Sequence, residues 1–416
     1  MSAPRLLLLG LALLAACDRR RPTEDVAYAR RMQEAIPKIE QATGLKFKTT
    51  PRLELRSREQ VRDFLVGKFN ESTPAEQLRG EEMAYKLFGL IPDTMDLRGF
   101  LLELLTEQII GYYDPATKVL YVVEGAPRDL ADITVTHELI HALQDQYIDL
   151  DSIQKSSADS DRQVAAQAVL EGQATFEQMT IMLGGDFAAR IPGGWDRVRE
   201  TIRESQTAMP VLSSAPMAIQ ESLLFPYLSG AEFVRRYKMR KPSGSPLDEL
   251  PVSTEQVLSD QAYFGDERDQ PTRVRLPGTA GNGGHEQTMG EFGTRLLLYQ
   301  HLKDHTVATG AARGWDGDRY RVFRAGPGRG IAWVTVWDSS VEAAQFVDAM
   351  GQAVSRRYRT GEPRSGSGGA RTYSGTARTV AITPRELSGR NVVLYVDVPR
   401  GASTSALNLD QVQLDP

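Results

Sequence analysis

A chain of 416 residues, 41% of them hydrophobic, is long enough for a sizeable core and for more than one domain. Lys and Arg total 49 against 54 Asp and Glu, a formal net charge of −5 with no dominant basic block, which argues against a nucleic-acid partner. The single cysteine excludes an intramolecular disulfide.

The first 16 residues differ from the rest. Arg5 precedes an apolar run over residues 6–16, too short to span a bilayer, which takes about 20 residues, but suited to the h-region of a signal peptide. LAAC at residues 14–17 resembles the lipobox of bacterial lipoproteins, and that resemblance implies cleavage before Cys17 and acylation of its sulfur. Residues 1–16 are therefore expected to be a lipoprotein signal peptide and 17–25 a tether. The expected location is the bacterial cell envelope, lipid-anchored to a membrane and facing the periplasm or exterior. Arg19 to Arg21 would lie beside lipid headgroups, where each basic charge gains about 1 kcal/mol. A plain secretory leader with an incidental cysteine is the alternative.

Residues 24–41 have helical periodicity, and 46–55 carry the β-branched, alternating pattern of a strand. Helical patterns follow at 57–69, 74–88 and 96–108. IIGYYDPATKVLYVVEG, residues 109–125, predicts a hairpin, because two apolar and aromatic runs flank Asp-Pro-Ala-Thr-Lys. It leads into a helix carrying THELIHALQDQY, residues 136–147. A second long helix is predicted over 161–183 and another around 221–237. Residues 242–284 are loop-rich, and 289–303 are helical again. GWDGDRY, residues 314–320, opens a tail with a strand at 331–337, a helix at 341–357, a linker at 361–370 and a strand at 391–398. The expected fold is α+β. A zincin-like catalytic domain, mostly helical with a small mixed sheet and an edge hairpin, is expected over 26–305, and a small α+β C-terminal domain over 306–416. Trp315, Trp333 and Trp337 are expected in the core of the latter.

The chain has five histidines, and two of them fall one helical turn apart with a carboxylate between. On a helix advancing about 100° per residue, with His137 at zero, His141 falls near 40° and Glu138 near 100°. Ile133, Leu139, Ile140 and Leu143 gather between about 200° and 320°, so the polar face and the apolar stripe point opposite ways. A rise of about 1.5 Å per residue stacks the imidazoles about 6 Å apart along the axis. Both can turn a nitrogen onto one ion, and Glu138, offset to the side, reaches a water without binding the metal itself. Such a site needs a third protein ligand. The candidate is Glu171 in VLEGQATFEQ, on a helix where Gln167, Glu171, Thr175 and Gln178 share a face. Gly172 is expected to let this helix approach the first closely. The metzincin continuation requires glycine and histidine three and six residues after His141, where this chain has Gln144 and Tyr147. A di-iron bundle site requires a second Glu-x-x-His, and none exists.

HELIHALQDQ followed by LEGQAT resembles the gluzincin branch of zinc metallopeptidases. The chain is similar in particular to a group of prokaryotic peptidase-like proteins that combine GYYDP (residues 111–115), HELxHALQDQ (137–146), EGxAT (171–175), PYxxG (226–230) and PxSTEQxL (251–258). The resemblance covers roughly residues 85–300, with a weaker echo in GDRY and VWDSS of the tail. It implies Zn²⁺ held by His137, His141 and Glu171, with Glu138 as general base. One departure is the 29-residue spacing between His141 and Glu171, longer than in thermolysin-like members. For an oxyanion donor, Tyr227 in FPYLSG is the first candidate and His285 in GNGGHE the second. Asp145, one turn past His141, is a candidate to orient a ligand. His301 and His305 are expected at the surface. In zincins an edge strand placed like the hairpin pairs with an extended substrate. The expected activity is zinc-dependent hydrolysis of a peptide or protein substrate at the cell envelope. The alternative is a non-enzymatic zinc-binding envelope lipoprotein that binds partners through its C-terminal domain.

Overall fold

The computed structural model describes residues 24–72, 74–155, 159–184, 209–278 and 284–415. The described residues begin with α1 (Glu24–Thr43), β1 (Arg52–Arg56), α2 (Arg58–Ser72), α3 (Ala75–Phe88) and α4 (Leu97–Gln108). Asp96 caps α4 by accepting the Gly99 N–H at 3.1 Å, one of the donors a helix start leaves unpaired. The hairpin follows as β2 (Gly111–Asp114) and β3 (Val119–Val123). Its turn is tied by the Asp114 carboxylate, which accepts from Ala116 N–H at 3.2 Å and Thr117 Oγ1 at 2.8 Å. β1 joins parallel to β3, giving a three-stranded sheet in the order β1-β3-β2.

Both outer strands have an edge, but the two edges differ. β2 is buried along its whole length against α5 (Arg128–Gln144), whereas β1 is partly exposed. The hairpin therefore packs its outer strand against a helix. α5 lies between two layers. Leu139, Ile140 and Leu143 enter a core with Tyr28 and Ile39 of α1 and Leu120 and Val122 of β3. Its opposite, polar face turns toward α7 (Ser160–Leu183), which follows the short α6 (Leu150–Lys155).

α7 packs along α8 (Met217–Arg240), and the two cross at glycines. A Cβ on Gly172 would lie 2.1 Å from the carbonyl carbon of Gly230, and one on Gly230 would lie 1.9 Å from the Ala168 oxygen. Gly172 thus serves the approach of α7 to α8, where the sequence pattern had suggested α5. The reason is angular: Glu171 faces α5, and the next residue is turned about 100° further round.

The rest of the chain builds a seven-stranded antiparallel sheet in the order β5-β6-β7-β11-β10-β9-β8. Its strands are β5 (His285–Gln287), β6 (Trp315–Ala325), β7 (Gly328–Trp337), β8 (Arg364–Ser365), β9 (Arg371–Ser374), β10 (Arg378–Leu387) and β11 (Arg390–Pro399). The helices α9 (Gly290–Leu302), α10 (His305–Ala312) and α11 (Ser340–Tyr358) pack with it, and β4 (Arg273–Arg275) pairs with β12 (Gln413–Asp415). The fold class is α+β. One apolar cluster contains Phe88 of α3, Leu101 of α4, Leu297 of α9, Trp333 of β7 and Phe346 of α11, so the expected division between residues 305 and 306 falls inside a shared core. Trp315, Trp333 and Trp337 are all buried there.

The glycine crossing is testable against a glycine on an open helix surface. Gly172→Ala drives a methyl into backbone and should cost about 1–3 kcal/mol or more. Gly310→Ala, with nothing within 4 Å of the new Cβ, should instead stabilise by about 0.5–1 kcal/mol through helix propensity. Thermal unfolding of the two variants measures this, and an unchanged midpoint for Gly172→Ala refutes the crossing.

Candidate metal centre

α5 and α7 bring three ligand-type side chains together in the interior. His137 is 2% exposed, and Glu138, His141 and Glu171 are fully buried. Glu171 Oε2 lies 3.2 Å from His137 Nε2 and 3.5 Å from His141 Nε2. The two imidazoles stand edge to face, centroids 4.8 Å apart. Around a tetrahedral ion bound at about 2.0–2.1 Å, neighbouring ligand atoms are separated by about 3.3 Å. The observed spacings match that edge length.

The far side of each ring is held by an amide. His137 Nδ1 lies 3.3 Å from Gln178 Oε1, and the Gln178 amide donates to the Ile133 carbonyl at 2.8 Å. His141 Nδ1 lies 2.8 Å from Gln144 Oε1, whose amide donates to Leu170 O and Gln173 Oε1, both at 3.0 Å. With their NH₂ groups committed to carbonyls, both glutamines present oxygen to the rings. Each imidazole must therefore carry a proton on Nδ1 and turn Nε2 inward. Three atoms facing this interior lack a hydrogen-bond partner: His141 Nε2, Glu171 Oε1 and Glu138 Oε1. Buried acceptors left unmatched are costly, and a cation satisfies two imidazole nitrogens and a carboxylate together. His137, His141 and Glu171 fit a metal ion.

The ionisation of these groups follows from the same packing. Burial works to raise Glu171, but its close contacts with His137 and His141 overcome this and hold it at about 2. Burial works to lower His141, and Glu171 followed by Glu138 pulls it up to about 9. A proton on His141 thus competes with any metal. Burial lifts Glu138 to about 7 against the opposing pull of the two imidazoles. Its Oε2 accepts the Tyr113 N–H from β2 at 2.8 Å.

Tyr227 of α8 also reaches the centre, its half-buried ring lying nearly parallel to His137 with centroids 6.1 Å apart. The other candidates stand elsewhere. Asp145 is buried but hydrogen-bonds neither histidine nor Glu171; it accepts from Tyr113 Oη at 2.7 Å and Lys118 Nζ at 2.6 Å. It fixes the residue whose N–H holds Glu138 and does not orient a ligand. His285 sits on β5 between Gly80 and Tyr320, lowered to about 4 by burial and then by Arg319. That surrounds it with the core of the large sheet and removes it as an oxyanion donor. His301, expected at the surface, is half-buried and bonded to the Phe88 carbonyl at 2.8 Å, whereas His305 is exposed. Gln144 and Tyr113 are the members that pattern reading missed, although Gln144, three residues after His141, shares its helix face. Cys17 lies outside the described residues. Among the described residues no helix is long and apolar enough to cross a membrane.

Residues 275–408 match the family described as a domain of unknown function, DUF8575. That stretch covers all seven strands of the large sheet, starts before the expected boundary at 306 and excludes the metal centre. A solved structure from Chloroflexus aurantiacus, provisionally called a hydrolase with a novel fold, shows 17% identity over 61% of this chain and 93% of that one, with a TM-score of 0.35. Comparison with curated proteins finds no match.

The amides provide a test of the centre. Gln144→Leu keeps the bulk but leaves the Nδ1 proton of His141 without an acceptor, and metal affinity should fall about 10–100-fold. Competition against a chromophoric chelator measures it; parent-like affinity would show that the ring is oriented by something else.

Proposed function

We propose that the chain is a zinc-dependent hydrolase that cleaves peptide bonds at the cell envelope. The observation carrying this reading is Glu138: a buried carboxylate with one oxygen anchored to Tyr113 N–H and the other unpartnered beside the three ligand atoms. A two-imidazole, one-carboxylate set suits zinc with a position left for substrate or water. His137, His141 and Glu171 would hold it. When bound, zinc supplies a Lewis acid that makes water nucleophilic near pH 7 and polarises a carbonyl.

The chain's own groups then account for the proton traffic. Oε2 of Glu138 is fixed, so Oε1 is the atom that takes a proton from the attacking water and passes it to the leaving amine. Burial places that carboxyl at about 7, where it takes up and releases a proton with little bias near neutrality. The Tyr227 phenol, beside His137, is the donor suited to a developing oxyanion. Acylation of Cys17 belongs to the same proposal: two or more acyl chains bind a membrane stably where one does not.

Glu138→Gln should retain its zinc and lose about 10²–10⁴-fold in hydrolysis of a broad peptide library. Zinc content by elemental analysis with parent-like cleavage would remove Glu138 from the chemistry. Tyr227→Phe should lower turnover about 10²–10³-fold at normal zinc content and Michaelis constant; unchanged turnover would assign the oxyanion to another group. Cys17→Ser should leave unprocessed precursor or release the protein from the membrane fraction, and processing and retention like the parent would defeat the lipoprotein assignment.

A further inference from the structure

The segment PVSTEQVL and the tail segment VWDSS resemble nothing with an assigned chemistry, yet the fold brings them together. Ser253 caps the single-turn helix Thr254–Leu258 through its Oγ, 3.2 Å from Gln256 N. Thr254 donates its hydroxyl and N–H to Asp161 at 2.6 and 3.0 Å. Gln256 Oε1 accepts from Val252 N–H at 2.9 Å and from the Arg268 guanidinium at 2.7 and 3.0 Å, and its amide donates to the Asp269 carbonyl. Every polar side chain from 253 to 256 is hydrogen-bonded except one. Glu255 is 95% buried by its 5% exposure, and among the described residues no donor and no basic group meets its carboxylate.

Glu255 points at two more acids. One oxygen each of Glu255, Asp269 and Asp338 lie within 4.8 Å of one another, and none of the three carboxylates accepts a hydrogen bond or ion pair from the described residues. The neighbouring acids are already served. Asp316 accepts from Thr272 Oγ1 at 2.8 Å and pairs with Arg390 at 2.5 Å, and Glu291 pairs with Arg295. Three convergent carboxylates at that spacing, Glu255 buried and Asp338 exposed, have no cation in contact, and the Arg390 guanidinium that acts on Asp269 and Asp338 from a distance is itself paired with Asp316.

We propose that Glu255, Asp269 and Asp338 form a cation site for calcium, separate from the histidine centre, which ties the segment 251–258 and the loop after it to the end of β7. The donors are all hard carboxylate oxygens, which select Ca²⁺ or Mg²⁺ over zinc. Three protein carboxylates drawn from three separate segments suit calcium, which takes six to eight oxygens at about 2.3–2.6 Å in loose geometry. Magnesium keeps several waters and uses one or two carboxylates. Asp338 directly precedes Ser339, the N-cap of α11, and Thr254 bonds Asp161 in the first turn of α7. A cation here therefore joins the helix that carries Glu171 to the large sheet.

The test uses the full chain, stripped of metal and reloaded with one equivalent of zinc. Calcium chloride titrated calorimetrically should bind at one ion per chain and raise the unfolding midpoint. Asp338→Asn, at an exposed position that tolerates the change, should weaken calcium binding about tenfold or more and abolish the midpoint rise, and Asp269→Asn should do the same. His137→Ala should leave calcium binding intact, which separates this site from the zinc site. The proposal falls if calcium does not bind up to about 10 mM, beyond the weak extracellular range, as it would if shared protons neutralise the carboxylates. It falls equally if Asp338→Asn and Asp269→Asn bind calcium like the parent, or if magnesium binds and calcium does not.

Discussion

Four ionisable side chains sealed between α5 and α7 impose the constraint that organises this part of the molecule. Bulk solvent does not reach His137, Glu138, His141 and Glu171 at that depth, so the protein must supply their partners or leave a place for a ligand. Their outer atoms are matched one by one: Gln178 and Gln144 on the imidazoles, Tyr113 N–H on Glu138. Their inner atoms remain unmatched and converge. Breaking a buried polar network at one member leaves the others uncompensated, so the site resists piecemeal change. The surrounding elements read as consequences. β2 must lie flat on α5 to deliver Tyr113, and α7 must hold its register so that Glu171 and Gln178, seven residues apart, both address His137.

That register depends on α8. The Gly172–Gly230 contact fixes where α7 and α8 touch, and a contact between backbones permits little sliding. α8 in turn carries Tyr227, so one crossing sets both a ligand and the aromatic ring beside it. Asp145 extends the logic outward. It contributes nothing to the ligands directly, but by holding Tyr113 Oη it braces the strand whose backbone orients Glu138.

Much of this was legible in the residues, and the failures have physical causes. The periodicity of α5, the hairpin and α7 emerged because apolar positions repeat cleanly against polar ones. β6 and β10 did not, since WDGDRYRVFRA and RTVAITPREL carry charges inside strands. In β6 one of those groups faces inward: Asp318 accepts from Met289 and Gly290 N–H groups and from the indoles of Trp315 and Trp333, capping α9 and pinning two core tryptophans. A buried charge with that many donors looks, in a sequence, like a loop residue. The hydrophobic pattern likewise cannot reveal that one core runs through residue 305, because continuity of packing is a property of three-dimensional neighbours. His137, His141 and Glu171 were accessible because metal chemistry restricts both residue type and spacing. Gln144 was not, because an amide that orients a ring is indistinguishable in sequence from any helix-surface glutamine, and Tyr113 was not, because it contributes only its backbone N–H. Gly172 signals a close approach of two helices, but a glycine in a sequence does not say which helix it meets.

The segments that identified the family resemblance without chemistry acquire a role from this geometry. Asp161, at the start of α7, accepts both the hydroxyl and the N–H of Thr254, while the Thr254 hydroxyl also accepts the Phe292 N–H of α9. Ten residues further along α7 stands Glu171. The same rigid helix therefore has one end anchored to the segment 251–258 and its middle committed to the histidines. Because Asp318 fixes the start of α9 to β6, the anchor reaches the large sheet through only two hydrogen-bonded steps. A sheet that shared no core with the helices could shift without disturbing Glu171; one tied through Thr254, Phe292 and Asp318 cannot. The C-terminal sheet is accordingly part of the frame that positions the candidate metal centre, and its continuous apolar core with α3 and α4 is what makes that frame stiff.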